Sequence, residues 1–300
     1  MKNLSNGSLN NLLADARAIQ DEDAKEAGSL GFMARILVQV TFPHSNPHSD
    51  VFERKNGNLS LAITSHPGLG VPYGVYPRLL LAWLSTEAVT TKEPTLELGA
   101  SLSAFMRKLG ILSKSGGQWG NVPRLREQMG RLFASTISIA DKSAAHPTPL
   151  GGFKIASRTL WEPTQPKKAG SWESTVTLSH EFFYELINRP VPVDIRALRA
   201  LKSSSMALDL YCWLTYRLSY LERPTEIPWE LLRYQFGAGY ANDNKGRNSF
   251  KIKLLNQLTK VGVVYESARR IKPGDKGLIL VPGKSHIKKA DKKTSGLVVV

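Results

Sequence analysis

A single cysteine, Cys212, stands among 300 residues. No disulfide can close within the chain, and no cysteine-based zinc finger can form. The segment around it, MALDLYCWLTYRLSYL, is apolar on nearly every side, so the thiol is read as packing rather than chemistry. Apolar runs are short. None approaches the roughly 18–20 residues of a membrane-spanning helix, and the first residues lack the charged-then-apolar order of a secretion signal. A cytoplasmic protein with no membrane partner is expected. Phosphate-cradling loops are also missing. Gly68, Gly70 and Gly74 cluster in HPGLGVPYG, but with neither the G-x-G-x-x-G nor the Walker A spacing, and this segment reads as a turn. No G-x-S-x-G nucleophile elbow occurs. There is no H-x-H pair, and His66, His146, His180 and His286 are scattered. His44 and His48 have H-x₃-H spacing, but Pro43 and Pro47 break the helix that would align them. No catalytic residue, metal site or cofactor is expected.

What the chain has in excess is positive charge. Lys and Arg number 40 against 25 Asp and Glu, for a net charge of +15 and a pI near 9.9. Such a balance points to a polyanionic partner, nucleic acid before membrane. The surplus is uneven: residues 193–300 carry 20 basic against 9 acidic side chains.

The stretch 247–261, RNSFKIKLLNQLTKV, is where that charge takes a pattern. Phe250, Leu254, Leu258 and Val261 fall at helical spacing, widened by Leu255. Arg247, Asn248, Lys251, Lys253, Asn256, Gln257 and Lys260 lie off that stripe, and the segment holds no acidic residue. Asn248 or Ser249 can cap its start, and Gly262 ends it. Arg and Lys suit phosphate or guanine, and Asn and Gln suit adenine edges. Asn256 and Gln257 either read adenine or merely solvate the surface. Beyond Gly262, VVYES reads as a strand, ARRIKPGDKG as a basic turn carrying Arg269, Arg270, Lys272 and Lys276, and LILVPG as a returning strand. A helix followed by a basic two-stranded ribbon is the winged-helix pattern.

Upstream the same plan recurs. Residues 1–30 are polar, with a weak helical period through Leu9, Leu12, Leu13, Ala16 and Ile19, and are expected to be mobile. NLSLAIT alternates like a strand, and YPRLLLAWLSTEA reads as a buried helix with Pro77 in its first turn. Ser101 caps SLSAFMRKLGI. A glycine-rich turn leads into a helix over 122–140, with Val122, Leu125, Met129, Leu132 and Phe133 on one face. Arg124, Arg126, Gln128 and Arg131 lie off that face, so the pair is a helix-turn-helix candidate or a plain helical pair. Residues 152–161 and 174–178 read as strands around the basic loop PTQPKKAGS, either a first wing or a linker. The proline-punctuated segment 188–194, NRPVPVD, is the expected domain boundary. Asp194 caps IRALRAL, a central buried helix follows, and a short helix from Pro228 precedes 247–261.

ALDLYCWLTYRLSYL, IPWELLRYQFG, NSFKIKLLNQLTKVGVVY and GLILVPG together resemble the C-terminal region of RepA-type plasmid replication initiators. LGASLSAFMRKLGI with GGQWGNVPRLREQMGRLF resembles their N-terminal helix-turn-helix region. The resemblance rests on the order of several blocks, not on one signature. It implies an α+β, mainly helical fold of two tandem winged-helix domains. Residues 31–190 would mediate dimerisation and DNA contact, residues 191–283 would bind DNA, and 284–300 would be a loose basic tail. It further implies binding to repeated double-stranded origin sites, opening of the adjacent duplex, and recruitment of the host replication initiator and replicative helicase. By position, 122–140 and 247–261 are the recognition helices. A plasmid-encoded repressor that never initiates fits the same residues. A nicking or priming enzyme lacks a catalytic constellation to stand on.

Overall fold

The computed structural model describes residues 6–99, 101–111, 120–142, 148–160 and 174–288. The loop PTQPKKAGS, most of the glycine-rich turn before the 122–140 segment, and residues 289–300 of the basic tail lie outside the described residues. Helix outweighs strand, as expected, but the strands form more than two small hairpins.

The first elements are α1 (Asn6–Asp21), β1 (Leu30–Ala34) and the short α2 (Arg35–Gln39). Next come β2 (Val51–Asn56), β3 (Leu59–Thr64) and α3 (Val75–Thr91). Helix α3 is buried on nearly all sides and ends at Lys92, whose φ of 62° places it in the left-handed region. Then follow β4 (Thr95–Glu97), α4 (Leu102–Lys108) and α5 (Asn121–Ala134). Ser101 caps α4, its Oγ accepting from Ala104 N at 3.2 Å. Beyond α5 run β5 (Thr136–Asp141), β6 (Thr148–Lys154), β7 (Ala156–Leu160), β8 (Thr175–Leu178) and α6 (His180–Asn188). The second half holds β9 (Pro190–Asp194), α7 (Ile195–Leu201), α8 (Ser205–Leu218), β10 (Thr225–Pro228), α9 (Trp229–Phe236) and α10 (Asn244–Val264). A 3-10 turn (Glu266–Arg270) and the hairpin of β11 (Lys272–Pro273) and β12 (Gly277–Leu280) complete it.

Two portions of the chain share one plan. In the first, α3, β4, α4, α5 and the β7–β8 hairpin follow in order, and the strands lie side by side as β4-β8-β7. In the second, α8, β10, α9, α10 and the β11–β12 hairpin do the same, with β10-β12-β11. In both, the last strand of the hairpin sits between its partner and the strand that follows the first helix. The first portion also has an insertion. Strands β5 and β6 leave after α5 and join β2 and β3 in a four-stranded antiparallel sheet, β2-β3-β5-β6.

Three expectations are corrected. The helix expected over 122–140 stops at Ala134, because Thr136, Ile137 and Ile139 are β-branched and alternate, and Ile137 is fully buried in the sheet. VVYES is not a strand: Val263 and Val264 finish α10, and buried Tyr265 and Ala268 turn the chain through the 3-10 segment. Within the expected boundary, residues 190–194 form a strand. Strand β9 pairs antiparallel with β1, from Leu30 opposite Asp194 to Ala34 opposite Pro190, burying Val191 and Val193. Residues 6–21 are not a loose segment. Leu12, Ala16 and Ile19 are buried where α1 packs on α7 and α10, and Arg196 donates to the carbonyls of Ala18 and Glu22 at 2.9 and 2.8 Å. The start of the tail is docked too. Lys284 O accepts from the hydroxyls of Tyr265 and Ser267, and Ile287 is buried.

The two portions share a single hydrophobic cluster, with α8 against α2, α3, β9 and α10. A buried polar network crosses the same seam. Arg78 of α3 makes a fork with Asp209 of α8, Nε to Oδ1 and an Nη to Oδ2, both at 2.6 Å. His44 Nε2 meets the same carboxylate at 2.8 Å. Burial alone would raise the Asp209 pKa, but Arg78 and His44 outweigh it and hold the carboxylate well below its usual range. Arg54 of β2 donates to Gln235 O of α9 at 2.7 Å and to Phe42 O at 3.1 Å.

A candidate nucleic-acid interface on helix 244–264

Helix α10 begins earlier than its hydrophobic stripe suggests. Asp243 is the cap, its Oδ1 accepting from Gly246 N at 2.6 Å. Gly246 is required there, since a Cβ would lie 2.2 Å from Ala241 O. One side of the helix, with Phe250, Leu254, Leu258, Val261 and Val264, is buried. The opposite side is open to solvent and carries Lys245, Asn248, Ser249, Ile252, Asn256 and Thr259. At about 100° per residue, the cations flank this strip. Lys251 lies along one edge and Lys253 and Lys260 along the other, while Arg247 is exposed in the first turn, above the buried side. Burial, and then the nearby Lys253, push the Lys260 ammonium below its usual pKa. No acidic side chain interrupts the face from residue 244 to 264.

Gln257 does not belong to that face. It is 3% exposed, with its Oε1 unpartnered in the interior. Lys251 is half-buried, its Nζ 4.6 Å above the Trp229 ring. Trp229 also grips the hairpin. Its Nε1 donates to Gly274 O at 3.3 Å and its backbone N to Lys276 O at 3.1 Å. The helix and the ribbon are thus positioned by one indole. Lys272 and Lys276 are exposed on the ribbon, and Asp275 lies between them. Arg269 and Arg270 precede it on the 3-10 turn. Both are exposed, but Arg269 is occupied, its Nε donating to Gly262 O at 2.6 Å and so capping the end of α10.

Of the residues placed on the first helix-turn-helix, the fold leaves few exposed. Gln128 is buried and accepts from Tyr73 N at 2.8 Å. Arg131 pairs with Glu127 at 2.8 Å, donates to Val71 O and stacks over Tyr73. Both side chains fasten the glycine turn before α3 rather than face outward. Arg126 is half-buried and Arg124 exposed, and the outer side of α5 also carries the exposed Glu127. An acid on that side makes it a poorer match to phosphate than α10.

Sequence reading missed Lys245 and Ile252 as members of the α10 face. A cap at Asp243, three residues before Gly246, was the available signal for the former. His44, half of the H-x₃-H spacing, is taken up by Asp209. Among the described residues no group of three His, Cys, Asp or Glu is arranged to hold a metal ion. Within the same residues no helix is long and apolar enough to cross a membrane.

Residues 71–230 match the family model described as plasmid-encoded RepA protein. That match spans α3 to the start of α9 and stops short of α10. Among solved structures, the crystal structure of selenomethionine derivatives of domains 2 and 3 of RctB is similar in fold, with a TM-score of 0.50 at 14% identity, covering 76% of this chain and 82% of that one. A second crystal structure of RctB domains 2–3 aligns with a TM-score of 0.46 at 14% identity, over 81% of this chain and 84% of that one. No curated protein matches.

Proposed function

The chain belongs to the family of plasmid-encoded RepA proteins, and from that premise we propose that it is a plasmid replication initiator that binds repeated double-stranded origin sites. Its action is binding, not catalysis. The repeated order of helix, strand, helix, helix and hairpin supports two tandem winged-helix units, one in each half. The observation that carries the reading is the outer face of α10, cationic along both edges and free of acid, with the Lys272–Lys276 ribbon fixed beside it through Trp229. A recognition helix in the major groove with a cationic wing against the backbone uses both features. The first half supplies DNA contact through Arg124 and a surface for a second copy. Opening of the neighbouring duplex and recruitment of the host initiator and helicase follow in the cytoplasm, where the plasmid is.

The test is replication itself. A plasmid carrying only this gene and its adjoining direct repeats should be maintained in a host that cannot replicate the vector otherwise. Replacing Arg247 and Lys253 by Ala together should abolish maintenance and the electrophoretic shift of the repeats. Retained binding with no maintenance by the natural protein would instead describe a repressor.

A further inference from the structure

Ile252 is out of place on a face built for a polyanion. It is 62% exposed, and among the described large hydrophobics only Tyr184, at 64%, is more so. It is not a remnant of the buried stripe. Two residues beyond Phe250, it lies about 200° round the helix from it, diametrically across from the core. Asn248 and Asn256 are exposed one turn to either side. The strip therefore has Asn248, Ile252 and Asn256 along its middle, Lys245 at its N-terminal end, Lys251 along one edge and Lys253 and Lys260 along the other. Cations at the margins reach the two phosphate backbones, and the centre meets the groove floor.

We propose that Ile252 reads the 5-methyl group of thymine, and that Asn248 and Asn256 pair with adenines beside it, so that α10 selects a short block rich in A·T pairs. The inference rests on α10 being the recognition helix. In the major groove only thymine offers an apolar group, while every other edge presents donors or acceptors. An isoleucine pressed on a G·C edge desolvates those groups and returns no hydrogen bond, which is costly. Asn has the two-point match to adenine N6 and N7. From residue 248 to 256 the helix rises about 12 Å, or roughly three to four base steps at 3.4 Å each. Three neutral side chains then suffice for a block of that length, and the cations need no base partner.

The test uses the full-length protein and a duplex selected by it from a random library. Each thymine is replaced singly by uracil, which keeps base pairing and removes only the methyl. At one or two positions the natural protein should lose about four-fold in affinity, the worth of one buried methyl. Ile252→Ala should bind the thymine duplex correspondingly more weakly and be indifferent to uracil at those positions, and Ile252→Val should recover most of the discrimination. Its unfolding midpoint should stay put, because the side chain is exposed. Uracil tolerated at every position, or full discrimination retained by Ile252→Ala, overturns the inference. If Asn248→Ala still loses its preference for the selected duplex over random DNA, only the Ile252 assignment falls. If no substitution on α10 changes that preference, the recognition-helix reading falls with it.

Discussion

His286 shows how much one buried side chain can depend on its neighbours. Tyr211 Oη accepts from the backbone N–H of Asp194 at 2.8 Å and is hydrogen-bonded to His286 Nδ1 at 2.7 Å. Burial pushes the His286 pKa down to about 4, against a partial rise from Asp194, so the folded protein holds a neutral imidazole. The unfolded chain takes up this proton near pH 6.5, the folded one only near 4. Between those values the unfolded state holds more protons, so stability should fall as pH is lowered from 6.5 to 4. His44, also pushed to about 4 by burial, adds in the same direction. His286→Gln keeps an acceptor for Tyr211 and should flatten the pH dependence of the urea midpoint across that window by one proton's worth. Asp209 behaves oppositely in kind: its carboxylate is held ionised, and removing it strands Arg78 in the interior. Asp209→Ala should cost about 3–5 kcal/mol in urea unfolding, and Arg78→Met combined with Asp209→Leu should cost less than that single change. None of this was legible in the sequence. His44, Arg78, Asp209 and His286 are separated by long stretches of chain, and nothing local marks a buried histidine or a salt bridge.

Among the elements, α10 was the most legible, because its stripe of Phe250, Leu254, Leu258 and Val261 is a local pattern that packing then used. Its beginning was not, since NDNKG has the composition of a turn, and only the Asp243 cap distinguishes the two. Gln257, Gln128 and Arg131 were misplaced for one physical reason. A polar side chain announces that it needs a partner or water, but not which, and Gln128 and Arg131 found theirs in the glycine turn that precedes α3. The same distinction separates the basic residues near the wing. Lys272→Ala and Lys276→Ala should weaken cognate and random DNA alike and reduce the salt slope by about 0.9 per lost phosphate contact. Arg269→Ala should instead lower the stability, by about 1–3 kcal/mol, because the Gly262 carbonyl loses its donor. Paired salt titrations and thermal melts of the three variants separate the two behaviours. Gly246→Ala belongs with Arg269. Its methyl meets the Ala241 carbonyl, and overpacking of that kind costs about 1–3 kcal/mol.

At the scale of the whole molecule, the boundary expected at 188–194 became a strand. Proline punctuation correctly marked a change of element, but it could not show that β9 would find β1 some 160 residues earlier, a separation no local pattern reports. The repeated helix-strand-helix-helix-hairpin order was partly legible, since each hairpin lies beside its helices. The β5–β6 insertion was not, because its partners β2 and β3 lie far upstream. The docking of α1 on α7 and α10 also has a consequence for how the protein is made. A ribosome adding about 5–20 residues per second finishes α1 at Asp21 and does not complete α10 until Val264, roughly 10–50 seconds later on that clock. For that interval Leu12, Ala16 and Ile19 lack α10, one of the two helices that cover them, and until α7 is made at Leu201 they lack both, so a holdase or a protease can reach them first. Chains stalled on the ribosome with residue 230 at the tunnel exit should be cleaved within α1 by added protease, while chains stalled with residue 290 clear of the tunnel should resist.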